Sequence, residues 1–187
     1  EGQKISKSVG NIIDPYDIIE TYGLDQIRFF LFREVPFGND GDFAKDSIAK
    51  RVNADLSNNF GNLIQRITSF IIKNSNSKVA RPNNFNEDDK KILKSFDKTL
   101  KDYLENMNSY QIDRSLKNIF DHLSEVNAYV DKQAPWSLKN TNNERMNNVL
   151  YTITLLTIKS SVLLYPVIPS SINKILNIYN ISIKDLN

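Results

Sequence analysis

Cysteine is absent from the 187 residues. That excludes disulfides and any thiolate-ligated zinc or iron–sulfur centre in this segment, and it suits a reducing compartment, so the cytosol is the expected location. Glycine and proline number six each, too few for a collagenous or low-complexity chain. Histidine and tryptophan occur once each, as His122 and Trp136. His122 has no carboxylate, serine or cysteine partner evident along the chain, so it receives no role. Glu1 to Ser8 are polar and charged, so no signal peptide is expected in this stretch. The most apolar region, Val149 to Ile168, is broken by Lys159, Ser160, Ser161 and Pro166. It falls short of the ~20 uninterrupted apolar residues of a membrane span and reads as a buried helix. A formal net charge of +2 is too weak to mark a nucleic-acid binder by its overall field, so any RNA contact must be local.

What is present is the composition of a folding domain: 40% hydrophobic and 25% charged residues, with room for one domain or a small module joined to a larger one. Asp14-Pro15, then Tyr16, Ile18, Ile19 and Gly23, predicts a short helix with an acidic N-cap, proline at its first position and glycine past its end. A second short helix is predicted from near Asp25, giving way at Pro36-Phe37-Gly38-Asn39-Asp40-Gly41. A module boundary is expected near Asp42.

From Ala44 to Asn74 the residues Ile48, Val52, Leu56, Phe60, Leu63, Ile67 and Phe70 recur at helical spacing and predict one long amphipathic helix. A polar, non-periodic loop, expected to be mobile, follows from Asn74 to Glu87. One helix is then predicted over Ile92, Phe96, Leu100, Tyr103 and Leu104. The next runs over Ile112, Leu116, Ile119, Leu123, Val126 and Val130, and should stop at Ala134 because Pro135 disfavours helical geometry there. The pattern from about Asn143 to Tyr165 is apolar on most sides, as in the central member of a bundle, and a shorter helix is expected after Pro169. With hardly any strand-like alternation, the expected fold is all-α: an antiparallel helix bundle preceded by a small linking module with little or no strand.

Three groups of residues carry candidate chemistry. Lys4-Ile5-Ser6-Lys7-Ser8 places two lysines and two serines on a short loop. Lysine supplies a mobile charge for a polyphosphate, and serine and backbone N–H groups add directional hydrogen bonds. A solvated terminus has the same composition. At 100° per residue, Asp55, Asn59, Asn62 and Arg66 share one shoulder of the long helix. Asparagine presents a donor and an acceptor to a base edge, and arginine a planar fork that bonds or stacks; an ordinary polar flank looks alike. Trp136, just past a helix stopped by Pro135, would hold a flat ring near the surface, where stacking on one base contributes ~1–3 kcal/mol. The alternative is a tryptophan buried for packing. Asp131, one turn earlier, can repel a phosphate or accept from a base amino group.

The stretch KISKSVGNIIDP closely resembles the lysine-serine signature of class I aminoacyl-tRNA synthetases, a loop that closes on ATP during amino-acid activation. Ile5 stands where methionine is commonest, an apolar exchange of similar volume. Leucyl, isoleucyl, valyl and cysteinyl enzymes share the signature and also carry helical anticodon domains. Three later stretches are similar to the methionyl-tRNA synthetase family in place and order: PFGNDGDF from Pro36, NLIQR from Asn62 and YVDKQAPW from Tyr129. The resemblance weakens in the loop after Asn74 and over the last twenty residues.

This resemblance implies that Lys7 stabilises the triphosphate as adenylate forms, with Lys4 and Ser6 assisting. It implies that Asn62, Arg66, Asp131, Pro135 and Trp136 serve the anticodon, and that no metal ligand lies in this segment. The intact enzyme is then expected to join methionine to its tRNA(Met) through an adenylate, using ATP and Mg2+. The tRNA is held by its anticodon stem-loop, and no membrane is involved. Residues 1–43 would form the signature loop and linking module, and 44–187 the anticodon-binding bundle. The nucleotide-binding catalytic fold, with the methionine pocket and any zinc knuckle, would lie before Glu1. The segment alone is therefore expected to be inactive and to bind no ATP tightly. Two rival readings stay open: another class I synthetase, and a non-catalytic helical module that binds a protein partner along an apolar groove.

Overall fold

The computed structural model describes residues 13–39, 41 and 43–186, so Lys4, Ser6, Lys7 and the expected boundary residue Asp42 lie outside it. Among the described residues the fold is helical throughout, with no strand. The Asp14 carboxylate accepts from the Tyr16 N–H at 2.8 Å, Pro15 opens α1 (Pro15–Tyr22), and Gly23 ends it at φ 90°, where a side chain would be strained. Helix α2 (Leu24–Glu34) follows at once. The two close on a small core of Ile18, Ile27 and Phe30, which Ile48 of α3 (Lys45–Arg51) completes. On the other face of α2, Phe29 enters the main core, edge-on to Phe120 with ring centroids 5.3 Å apart. Arg28 donates to the Val167 and Pro166 carbonyls, both at 2.8 Å, and ties α2 to the far end of the chain.

The predicted long helix is one rod whose middle changes register. Between α3 and α4 (Asn62–Asn74) the segment Val52–Gly61 is π-helical, and the Asn62 N–H donates to Ser57, five residues back. A Cβ on Gly61 would lie 3.0 Å from the Leu56 carbonyl oxygen, so this turn favours glycine there. The wider turn also corrects the 100° wheel. Asp55 does not join the asparagines. It turns toward α2, 3.3 Å from Arg33 Nε and 3.7 Å from Arg51 Nη1, and burial raises its pKa against the pull of both arginines.

Helices α5 (Glu87–Asn108), α6 (Ile112–Gln133), α8 (Asn143–Leu164) and α9 (Pro169–Ile178) occupy the predicted segments. Leu100 and Leu104, expected in the α5 stripe, are exposed. The buried line instead runs Ile92, Phe96, Thr99, Tyr103, and the two leucines stand one position off it on the shoulder. The loop after α4 is pinned to α8: Asn148 donates to the Asn84 carbonyl at 2.7 Å, and Phe85 leans on Tyr151. His122 is buried with its ring edge-on to Phe96, and burial holds its pKa below the usual histidine value.

Opposite ends of α5, α6 and α8 are joined by polar contacts, which sets α6 antiparallel to both neighbours. At one end Tyr103 donates to Leu163 and Ser115 to Tyr103. At the other, fully buried Asp89 meets Arg145 through two hydrogen bonds, Nη1 at 2.5 Å and Nη2 at 2.7 Å, and also accepts from the Tyr129 hydroxyl. Asp89 and Asn86 form a capping box at the start of α5, while Arg145 reaches on to Gln133 Oε1 at 2.7 Å. Gln133 and Lys132 bond in turn to Asp88. The last turn of α6 is therefore clamped by the first turns of α5 and α8.

Burial pushes the Asp89 pKa up, but the hydrogen bonds from Arg145, Tyr129 and the Asn86 N–H outweigh it, and the carboxyl lies below the ordinary range. The unfolded chain therefore takes this proton first as pH falls. The stabilisation is fully present above about pH 4 and is lost as pH drops through the lower folded value. Asp89→Asn should cost about 3 kcal/mol at pH 7 in urea unfolding, since it leaves the partly buried Arg145 without its anion. The variant should also show a shallower loss of stability below pH 4 than the parent.

Candidate nucleic-acid interface

The clamped end of α6 is where the chain turns out. Ala134 adopts the left-handed conformation (φ 42°, ψ 62°), its N–H closing on the Val130 carbonyl, and Pro135 starts the single-turn helix α7 (Pro135–Leu138). A non-glycine residue in that region costs roughly 1–2 kcal/mol, which the surrounding clamp must hold in place. Pro135 is buried, so its place is to set the direction of its neighbour. Trp136, next in line, is 44% exposed. The packing alternative raised by the sequence is thereby excluded.

The π-helical stretch and α4 lie along α6, with Asn59 beside Phe120 and Arg66 beside Asp131. Asn59 is fully engaged: its amide donates to the Phe120 carbonyl (3.0 Å) and Ser124 Oγ (2.9 Å), and its own carbonyl oxygens accept from Asn127. Arg66 spreads its fork across two residues of α6, reaching Asp131 Oδ1 at 2.9 Å and Asn127 Oδ1 at 3.2 Å. Its guanidinium carbon lies 5.7 Å from the centre of the Trp136 ring, within cation–π range. Asn62 is exposed one turn before Arg66, and its side chain makes no hydrogen bond among the described residues.

These side chains surround an open groove of about 520 Å³ lined by Asn58, Asn62, Gln65, Arg66, Ser69, Asn127 and Asp131. Trp136 flanks it through Arg66. The predicted Asn62, Arg66, Asp131 and Trp136 are thus brought to one end of the bundle, while Asp55 belongs to the separate Arg33 and Arg51 cluster. Sequence reasoning missed Asn127, Asn58, Gln65 and Ser69. Asn127 was detectable in principle, because it stands one helical turn before Asp131 on the same face of α6. The other three sit one turn from Asn62 or Arg66 on the same flank. Chemically the groove offers free amide donors and acceptors, one planar cation already oriented and one exposed indole. These are the groups that stack and hydrogen-bond unpaired bases.

Two family models match the chain: residues 1–68 that of tRNA synthetases class I (M), and residues 79–186 that of the anticodon binding domain of methionyl tRNA ligase. The methionine–tRNA ligase of Brucella suis biovar 1 (strain 1330) is 45% identical over 177 residues, covering 95% of this chain and 34% of its own length. That of Rickettsia felis (strain ATCC VR-1525 / URRWXCal2) is 44% identical over 180 residues, covering 95% of this chain and 35% of its own length. The chain therefore spans about a third of the length of the curated relatives it matches. The crystal structure of Mycobacterium tuberculosis methionyl-tRNA synthetase bound by methionyl-adenylate superposes with a TM-score of 0.92 at 36% identity, covering 97% of this chain and 37% of that one.

The Arg66 and Asp131 side chains are both well exposed, so their ion pair should add less than about 1 kcal/mol to stability. Arg66→Ala is therefore expected to leave the thermal midpoint nearly unchanged. It should still shift the emission of Trp136, the only tryptophan, because the cation over its ring is gone. Fluorescence and calorimetry on the same sample check both halves.

Proposed function

The chain belongs to the methionyl-tRNA ligase family through its anticodon-binding domain, and we propose that it is the part of a methionine–tRNA ligase that recognises the anticodon stem-loop of tRNA(Met). The observation that carries this reading is the gathering of Asn62 and Arg66 on one groove, with the exposed Trp136 ring beside the Arg66 guanidinium. In the proposal a splayed base stacks on the Trp136 indole. Asn62 and the Arg66 fork read base edges, and Asp131, released from Arg66, accepts from a base amino group or turns away phosphate. Pro135 fixes where the indole stands.

The whole enzyme, in this reading, joins methionine to tRNA through an adenylate made from ATP with Mg2+, and it acts in the cytoplasm. Lys4, Ser6 and Lys7 are proposed as its signature loop, with Lys7 stabilising the triphosphate. Among the described residues no cluster of three acidic or histidine side chains could hold a metal ion, and no helix is long and apolar enough to cross a membrane. We place the signature loop and linking module in residues 1–43 and the bundle in 44–187. The small core of Ile18, Ile27 and Phe30 supports a separate first unit, to which α3 lends Ile48.

Binding of a hairpin RNA carrying the methionine anticodon CAU, followed by titration of the 187-residue chain, tests the reading. Trp136→Ala should weaken it by at least about fivefold, from the ~1–3 kcal/mol of a lost stack. Hairpins with leucine, valine or cysteine anticodons should bind no better than that variant does. Equal binding of all hairpins would reject anticodon recognition by these residues.

A further inference from the structure

A second concavity lies on a different face of α4 from the groove described above. It is a cavity of about 420 Å³ between α4, α8 and the chain just past α9, within the range of small-molecule sites. Ile71, Leu155, Ile158 and Ile181 supply apolar walls, and the exposed Ile72 and Ile178 stand at its rim. No aspartate, glutamate, lysine, arginine or histidine lines it.

Its polar groups are unusual. Along α8, Thr152, Thr157 and Ser161 are buried and each donates to the carbonyl four residues back, at 2.9, 2.8 and 2.8 Å. That is the ordinary way for a helical hydroxyl to be satisfied. Thr154 is 6% exposed and does not do this: its Oγ1 has no partner among the described residues. Ser160 shares that condition, but only Thr154 lines the cavity. Tyr179, just past α9, also lines the cavity and has a buried hydroxyl without a partner among the described residues. Burial pushes that phenol up to about 12, so it stays a proton donor throughout the physiological range. Buried hydroxyls are ordinarily paired, because leaving one unmade forfeits its hydration for nothing. Both hydroxyls belong to residues that line one uncharged, mostly apolar cavity.

We propose that this cavity binds a small, uncharged, planar molecule whose carbonyl oxygen or ring nitrogen accepts from the Thr154 and Tyr179 hydroxyls while its rings lie against Ile71 and Ile158. The site does not depend on the anticodon reading. Every residue invoked lies outside the Asn62, Arg66 and Trp136 cluster.

The test uses quinolin-2-one, a neutral two-ring lactam, and quinoline-2-carboxylate as its charged counterpart, each titrated into the 187-residue chain and followed by amide NMR shifts. The lactam should give saturable shifts confined to residues 151–158 and 178–181, with the anion at least about tenfold weaker. Thr154→Val and Tyr179→Phe keep shape and remove only hydroxyls. Each should raise the lactam Kd about tenfold, the worth of one hydrogen bond of roughly 1.4 kcal/mol. Ile178→Trp, at the rim, should abolish binding by closing the mouth without disturbing the core. The proposal is overturned by no saturable shift, by shifts elsewhere, or by unchanged affinity in both hydroxyl-deletion variants, which would mean simple apolar partitioning.

Discussion

Asp89 is a carboxylate with no solvent exposure, and the organisation of one end of this bundle depends on its having found a guanidinium. Taking both charges out of water is expensive, and only good geometry with further hydrogen bonds repays it. Here the repayment is spread over three helices. Arg145 comes from the first turn of α8, Tyr129 and Gln133 from the last turns of α6, and Asn86 from the cap of α5. Apolar packing alone sets how close helices lie but tolerates sliding. A bidentate pair anchored to two helix starts fixes where a third helix must end.

That fixed end gives the external face its shape. Because α6 stops at a left-handed Ala134 and restarts at Pro135, the indole of Trp136 stands clear of the core, beside the helix it has just left. The opposite wall comes from the rod that passes through a π-helical stretch before α4. The stretch sends Asp55 inward to Arg33 and Arg51, and presents Asn62 and Arg66 to Asn127 and Asp131. Arg66 is thus aligned before any ligand arrives. Its ion-pair partner Asp131 is exposed, so that contact is open to exchange with solvent.

How much of this was readable beforehand follows from the range of each interaction. Local rules carried the caps at Asp14-Pro15, the helix stop at Ala134-Pro135 and the stripes of α5, α6 and α8, because each depends on neighbours within a turn or two. They failed at Leu100 and Leu104, where a stripe drawn from apolar identity ignored that Thr99 lies nearer its centre. The π register was invisible to a wheel built on a constant angle; Gly61, tight against Leu56, was its one local trace. Pairs far apart in sequence, such as Asp89 with Arg145 or Arg66 with Asn127, have no periodic signature at all. Likewise, nothing in a row of threonines and serines on α8 distinguishes Thr154, which lacks an acceptor, from Thr152 and Thr157, which have one.

In the proposed reading, Asn62, Arg66 and Trp136 form a single surface that receives unstacked bases. The most direct test is a crystal structure of the chain with a hairpin RNA bearing CAU. The expected result is one loop base lying flat on the Trp136 ring and another with its edge on Asn62 or the Arg66 fork, the Arg66 to Asp131 contact having opened or lengthened. An RNA loop bound on another face, or one that keeps its bases stacked on each other away from the indole, would contradict it.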